Sequence, residues 1–265
     1  DCHVHLLGSG DSGSGCWLNP RMDSLWHPIE SLQKAFYLNA ACVADRPGMD
    51  AAYVERLLAL HAAFPKGAKR MLLAFDWHHD EKGNRVEELS PFHTPNEYAQ
   101  RLARAHPQHF EWVASVHPYR ADAIEALVQA ERSCARSVKW LPAAQGMDLA
   151  DARCDRFYEV LAASGLPVIS HAGREMAVQG GTQDFGNPLR LRRALDHGVR
   201  VVIAHCASDG DDQDMDAGAN GPVLRSYDLF ARMMDEPRYQ GLLFGDISAL
   251  TASVRQLSRL ATGRA

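Results

Sequence analysis

Asp1-Cys2-His3-Val4-His5 opens the chain, and its reading decides the rest. In an extended strand, side chains alternate between two faces. His3 and His5 therefore share one face, a pleat apart, and Cys2 and Val4 share the other. Two neutral imidazoles side by side at a strand end can hold one metal ion. A solvated strand carries the same spacing with no ligand. What separates the two readings lies further along.

Outward from this strand, apolar β-rich runs recur at Met71–Phe75, Trp112–Val116, Val138–Leu141, Pro167–Ile169, Val199–Ala204 and Leu242–Ile247. Segments of helical periodicity fill the intervals. Asp50–Phe64 aligns Tyr53, Leu57, Leu58 and His61. Thr94-Pro95-Asn96-Glu97 has the form of a capping box with proline at the first helical position. Ala121–Cys134, Cys154–Ala163 (stopped by Ser164-Gly165), Pro188–His197, Ser226–Met234 and Thr251–Ala261 complete the helical set.

Alternating strands and helices imply parallel strands joined by crossover helices. With the opening strand, the chain holds seven such units in 265 residues. This predicts a TIM-type (β/α)8 barrel, which takes about 250 residues. An open doubly wound sheet would carry a glycine-rich phosphate turn after its first strand. The Gly8–Gly15 run is glycine-rich, but no Gly-Lys-Ser/Thr follows it and no helix starts there, so it reads as a flexible loop. We expect one domain over residues 1–265, with a long first βα loop from residue 6 to about 49. The chain opens inside a motif without Met, which points to a missing upstream segment.

Composition narrows the function. Apolar content of 46%, charge of 23% and a net charge of -5 describe an ordinary globular protein. The absence of a Lys/Arg-rich block argues against nucleic acid. No apolar run approaches the roughly 20 residues of a membrane span. The six cysteines, at 2, 16, 42, 134, 154 and 206, form no Cys-x-x-Cys pair and read as free thiols of a reducing, cytoplasmic compartment.

The strands end in polar, ligand-type residues: His3 and His5; Asp76-Trp77-His78-His79; His117; Lys139; His171; His205; Asp246. Barrel active sites are assembled at that face from several strand ends. Independent core histidines do not explain such a series.

At this point the chain resembles the metal-dependent amidohydrolase superfamily, most closely its amidohydrolase-related branch, which includes decarboxylases of the aminocarboxymuconate-semialdehyde type. The resemblance rests on Asp1-x-His3-x-His5, Val138-Lys139-x-x-Pro142, Pro167-Val168-x-x-His171-Ala172-Gly173 and Ala204-His205-Cys206, in the family's order. It implies that His3, His5 and His171 bind a divalent metal, usually zinc. His205 would be catalytic beside the metal water or serve a second ion. The family's remaining ligand is an Asp on strand eight. Asp246 falls on strand seven by this count, so strand eight and its Asp are expected to be absent from this sequence, unless Asp246 is that ligand. In some members a strand-four lysine becomes a carbamate bridging two metals. One ion is the expectation here, with two if Lys139 is carboxylated.

A metal-bound water of lowered pKa would attack an amide, ester or lactone carbonyl, with the strand-eight Asp as the stronger candidate for base, His205 sharing that work, and Lys139 as a second catalytic or substrate-holding group. Arg174 would grip a substrate carboxylate or form a surface ion pair. Trp77, His78, His79 and His117 would line the pocket or serve the core. Two other readings stay open: nonoxidative decarboxylation of a small aromatic or unsaturated acid on the same ligands, and an inactive binding barrel. The expected partners are a small-molecule substrate and, in such barrels, a second copy of the chain; no nucleic acid and no membrane are expected.

Overall fold

Seven short parallel strands carry the fold in this computed structural model, which describes residues 1–44, 47–175 and 181–248. They are β1 (Val4–His5), β2 (Arg70–Leu73), β3 (Phe110–Val113), β4 (Val138–Trp140), β5 (Val168–His171), β6 (Val201–Ala204) and β7 (Leu243–Gly245). The first three pair in chain order, as do the last four. A single parallel bridge between Ala114 and Val138 joins the two groups. It is held by Lys139 N–H to Ala114 O at 2.7 Å and Ala114 N–H to Ser137 O at 3.0 Å. The sheet is therefore continuous and runs in sequence order, as the alternation predicts. Among the described residues no backbone pairing joins β7 to β1, so barrel closure is not shown. The helix expected over Thr251–Ala261 lies outside the described residues.

Helices follow the strands. They are α1 (Pro28–Ala41), α2 (Met49–His61), α3 (Asn96–Ala105), α4 (Ala123–Arg132), α5 (Pro142–Gln145), α6 (Asp155–Ser164), α7 (Arg192–Asp196) and α8 (Ser226–Met234). Most of them pack on the outer face, while α1 and α5 residues pack with Phe75 and Phe92. Strand register sorts the two faces. Val138, Trp140, Val168, Val201 and Ile203 point outward and pack with Phe157, Leu161, Leu195 and Leu229. Each such fully buried side chain contributes about 1.5–3 kcal/mol. The alternate residues point inward: Lys139 beside Ile169, and His171 beside Ala204. On β1, Val4 pairs with Leu72 of the outer core and His5 with Leu73. The period-two reading holds for Val4 and His5; Cys2, expected on the opposite face from His3, is exposed and brings its Sγ to 3.9 Å from Asp246 Oδ1.

Three local expectations are corrected. The stretch from residue 6 to 49 is not a plain loop: it contains α1, started by Pro28 at its first turn. The capping box at Thr94 does not form. The Thr94 hydroxyl donates to Leu6 O at 2.7 Å, and extended Pro95 is itself the cap of α3. Pro188–His197 divides into a 3-10 turn, Pro188–Leu191, and the short α7, because Asn187 caps the turn by accepting from Leu189 N–H. All six cysteines are free thiols, and no described helix is long and apolar enough to cross a membrane.

Candidate metal centre

The inward residues converge at the carboxyl ends of the strands. Just before β1, His3 places its Nε2 3.3 Å from Nε2 of His5, while its Nδ1 lies 2.9 Å from Asp246 Oδ2, just beyond β7. Burial opposes ionisation of Asp246. Hydrogen bonds from His3, from the Ser248 hydroxyl and from Ser248 N–H outweigh it and hold the carboxyl well below the usual carboxylate range. An ionised Asp246 accepts, so His3 carries its proton on Nδ1 and presents a lone pair at Nε2. Two nitrogens about 2.1 Å from one tetrahedral ion are about 3.4 Å apart. The 3.3 Å between the two Nε2 atoms suits a shared cation, with Asp246 orienting His3 from behind.

His205 reaches the cluster through an unusual turn. After β6, His205, Cys206 and Ala207 have φ of 55°, 52° and 47°. This left-handed region costs non-glycine residues about 1–2 kcal/mol each. The turn sets the His205 ring over His3, with centroids 4.8 Å apart and planes 24° from parallel. His205 Nδ1 donates to Ser248 O at 2.7 Å, which leaves Nε2 as the acceptor. At the end of β5, buried His171 lies with its centroid 5.8 Å from that of His205 and its Nε2 3.4 Å from Glu175 Oε2. Among the described residues, His3, His205 and Asp246 each bring one ligand atom within 4.8 Å of the others'. Of the expected ligands, His3 and His5 stand side by side and His171 reaches the group through His205.

Electrostatics follow from the crowding. His5 stays open to solvent at the mouth, yet the protein packed around its ring desolvates it. With His3, Lys139, His205 and His171 nearby, its pKa falls well below the ordinary value. Lys139 faces inward from β4 and is 1% exposed. Burial lowers its pKa to about 8, against the attraction of Glu175, Asp246 and Cys2. A cavity of about 370 Å³ opens beside His5, lined by Leu7, Phe36, Tyr37, Tyr53, Arg56 and Phe92. A larger one, about 630 Å³, is lined by Gln100, Trp112, Glu125 and Gln129; none of the clustered histidines lines it, so it is not the mouth of this centre.

One of the two expected substrate contacts, His117, is spent on the core. His117 is fully buried. Its Nε2 donates to Gln145 O at 3.0 Å and its Nδ1 accepts from Tyr119 N–H at 3.1 Å. Both ring nitrogens are spent on the backbone, and burial pushes the pKa down to about 3. Arg174 is exposed, after Gly173 at φ +82°, where a Cβ would meet Asp209 O at 2.4 Å. Glu175 and Ser248 were not legible as site residues: both lie in irregular segments with no periodicity to mark them. Phe36 and Tyr37 were missed because their helix was read as loop.

The family model for amidohydrolases matches residues 1–217. No curated protein matches the chain. Among solved structures, the chain is similar in fold to a candidate 2-pyrone-4,6-dicarboxylic acid hydrolase from Pseudomonas putida, at 19% identity and TM-score 0.50, covering 99% of this chain and 75% of that one. It is also similar in fold to the 5-carboxyvanillate decarboxylase of Sphingomonas paucimobilis, at 10% identity and TM-score 0.52, covering 98% and 83%.

Proposed function

The chain belongs to the amidohydrolase family, and from that premise we propose that it is a metal-dependent hydrolase of an amide, ester or lactone carbonyl. The observation that carries this reading is the pair of Nε2 atoms 3.3 Å apart, one of them oriented by Asp246. On this reading His3, His5 and His171 hold one divalent cation, and the seven strands are part of a (β/α)8 barrel. When bound, the cation supplies a water that ionises near neutral pH and polarises the substrate carbonyl.

The chain's own residues supply the rest. His205, fixed by Ser248 O as the Nδ1–H tautomer, accepts a proton at Nε2 and returns it to the leaving group. Lys139, inward-facing at the fourth strand end, offers a cation to a substrate carboxylate or a developing oxyanion. The apolar walls beside His5 exclude water from the rest of the substrate.

Decarboxylation is the second reading. The aromatic walls Phe36, Tyr37 and Phe92, with Arg56 in the lining, also suit a flat unsaturated acid. Incubating the metal-loaded chain with cyclic lactones and with aromatic carboxylates separates the two. Ring opening supports hydrolysis; carbon dioxide release without hydrolysis overturns it.

A further inference from the structure

Helix α1 is inside out. Its large exposed side chains are apolar: Ile29 is 55% exposed, Leu32 72% and Phe36 52%, and the preceding turn adds Leu25 at 95% and Trp26 at 91%. Within the helix, the spacing 29, 32, 36 draws one stripe, and Leu25 and Trp26 extend the apolar surface from the turn before it. Leu25 to Ala41 contains two charged residues. Lys34 is turned inward and paired with Asp23 at 2.5 Å, and Glu30 is half-buried. The exposed face, which also includes Pro28, Ala35, Asn39 and Ala40, carries no charge at all. A surface helix ordinarily puts its charges outward.

We propose that this face is the contact between two copies of the chain, paired antiparallel about a twofold axis near Ile29 and Leu32. Two properties select a second copy over an unlike partner. The first is size. At typical side-chain areas the five exposed apolar residues present roughly 600–700 Å². That exceeds the roughly 300–600 Å² of the largest patch on a monomer and approaches the roughly 800 Å² per partner of a stable complex. The second is charge. The stripe has no charged group to complement a basic or acidic partner, whereas it is complementary to itself. A twofold axis lays Leu25 of one copy against Phe36 of the other, and the reverse. Phe36 also walls the cavity beside His5, so the contact would build the outer rim of that cavity from both copies. The proposal does not depend on the reaction proposed above.

Sedimentation velocity on the full chain between about 1 and 50 μM tests it. A dimer with Kd below about 1 μM is expected. Leu32→Glu and Trp26→Glu each place two unpaired charges in the contact, and each should weaken dimerisation at least about 100-fold. Both positions are solvent-exposed in the monomer, so far-UV circular dichroism should stay unchanged. A wild-type monomer at about 50 μM would overturn the proposal, whether residues 249–265 or an unlike molecule then covers the face. So would dimers that persist in both folded charge variants.

Discussion

Replacing Asp246 by Asn probes how the candidate centre is held. The carboxylate is 7% exposed. It accepts from His3 Nδ1 at 2.9 Å, from Ser248 N–H at 2.9 Å and from the Ser248 hydroxyl. Asparagine keeps the shape but has one acceptor oxygen and a new NH2 donor. One of these donors must then face an N–H or turn away, and the charge that aligns the His3 tautomer is gone. A hydrogen bond to a buried charged group is worth about 1.5–3 kcal/mol. Loss of a carboxylate behind a metal-binding imidazole weakens the metal by about 10–100-fold, equivalent to about 1.4–2.7 kcal/mol. Competition against a chromophoric chelator, with zinc and manganese in turn, should show a decrease in that range. Far-UV circular dichroism provides the folding control. An affinity within twofold of wild type refutes the orienting role. A loss beyond about 1,000-fold refutes it differently, by making Asp246 a direct ligand. The pH dependence has a definite sign. The folded-state pKa of Asp246 is depressed, so its stabilising contribution is complete above the unfolded value near 4 and is lost as pH falls through the folded value.

His171→Ala should abolish tight metal binding, measured as zinc per chain by mass spectrometry; a retained full equivalent removes His171 from the ligand set. Lys139 binds its proton less readily folded, at about 8, than unfolded, at about 10.4. Stability of the metal-free chain should therefore rise with pH between those values. Lys139→Met should flatten that rise in urea titrations at pH 7 and 9.5; an unchanged slope shows that Lys139 is not the source. Gly173→Ala forces a Cβ to 2.4 Å from Asp209 O at a positive φ and should cost at least about 1–2 kcal/mol, read from urea midpoints; a neutral change disproves the clash. Leu161→Ala opens a hole in the fully buried outer core and should cost about 2–5 kcal/mol; a smaller loss means that the helices collapse onto the gap.

What sequence alone determined was local and periodic. Alternation within strands set His3 and His5 on one face and Lys139 between outward Val138 and Trp140. Alternation of strands with helices set a parallel sheet in chain order, because each short unit has one way to bury its apolar side. Tertiary structure decided what distance in sequence conceals. Asp246 meets His3 across 243 positions, and no local pattern marks that meeting. His117 looks like its neighbours at the strand ends, yet both of its nitrogens are consumed by backbone groups of Gln145 and Tyr119. Helix α1 was illegible for the opposite reason. Pattern reading assigns apolar stripes to the interior, and here the stripe faces out while a paired lysine faces in. Periodicity records that a face is apolar; only packing in three dimensions shows which surface that face adjoins.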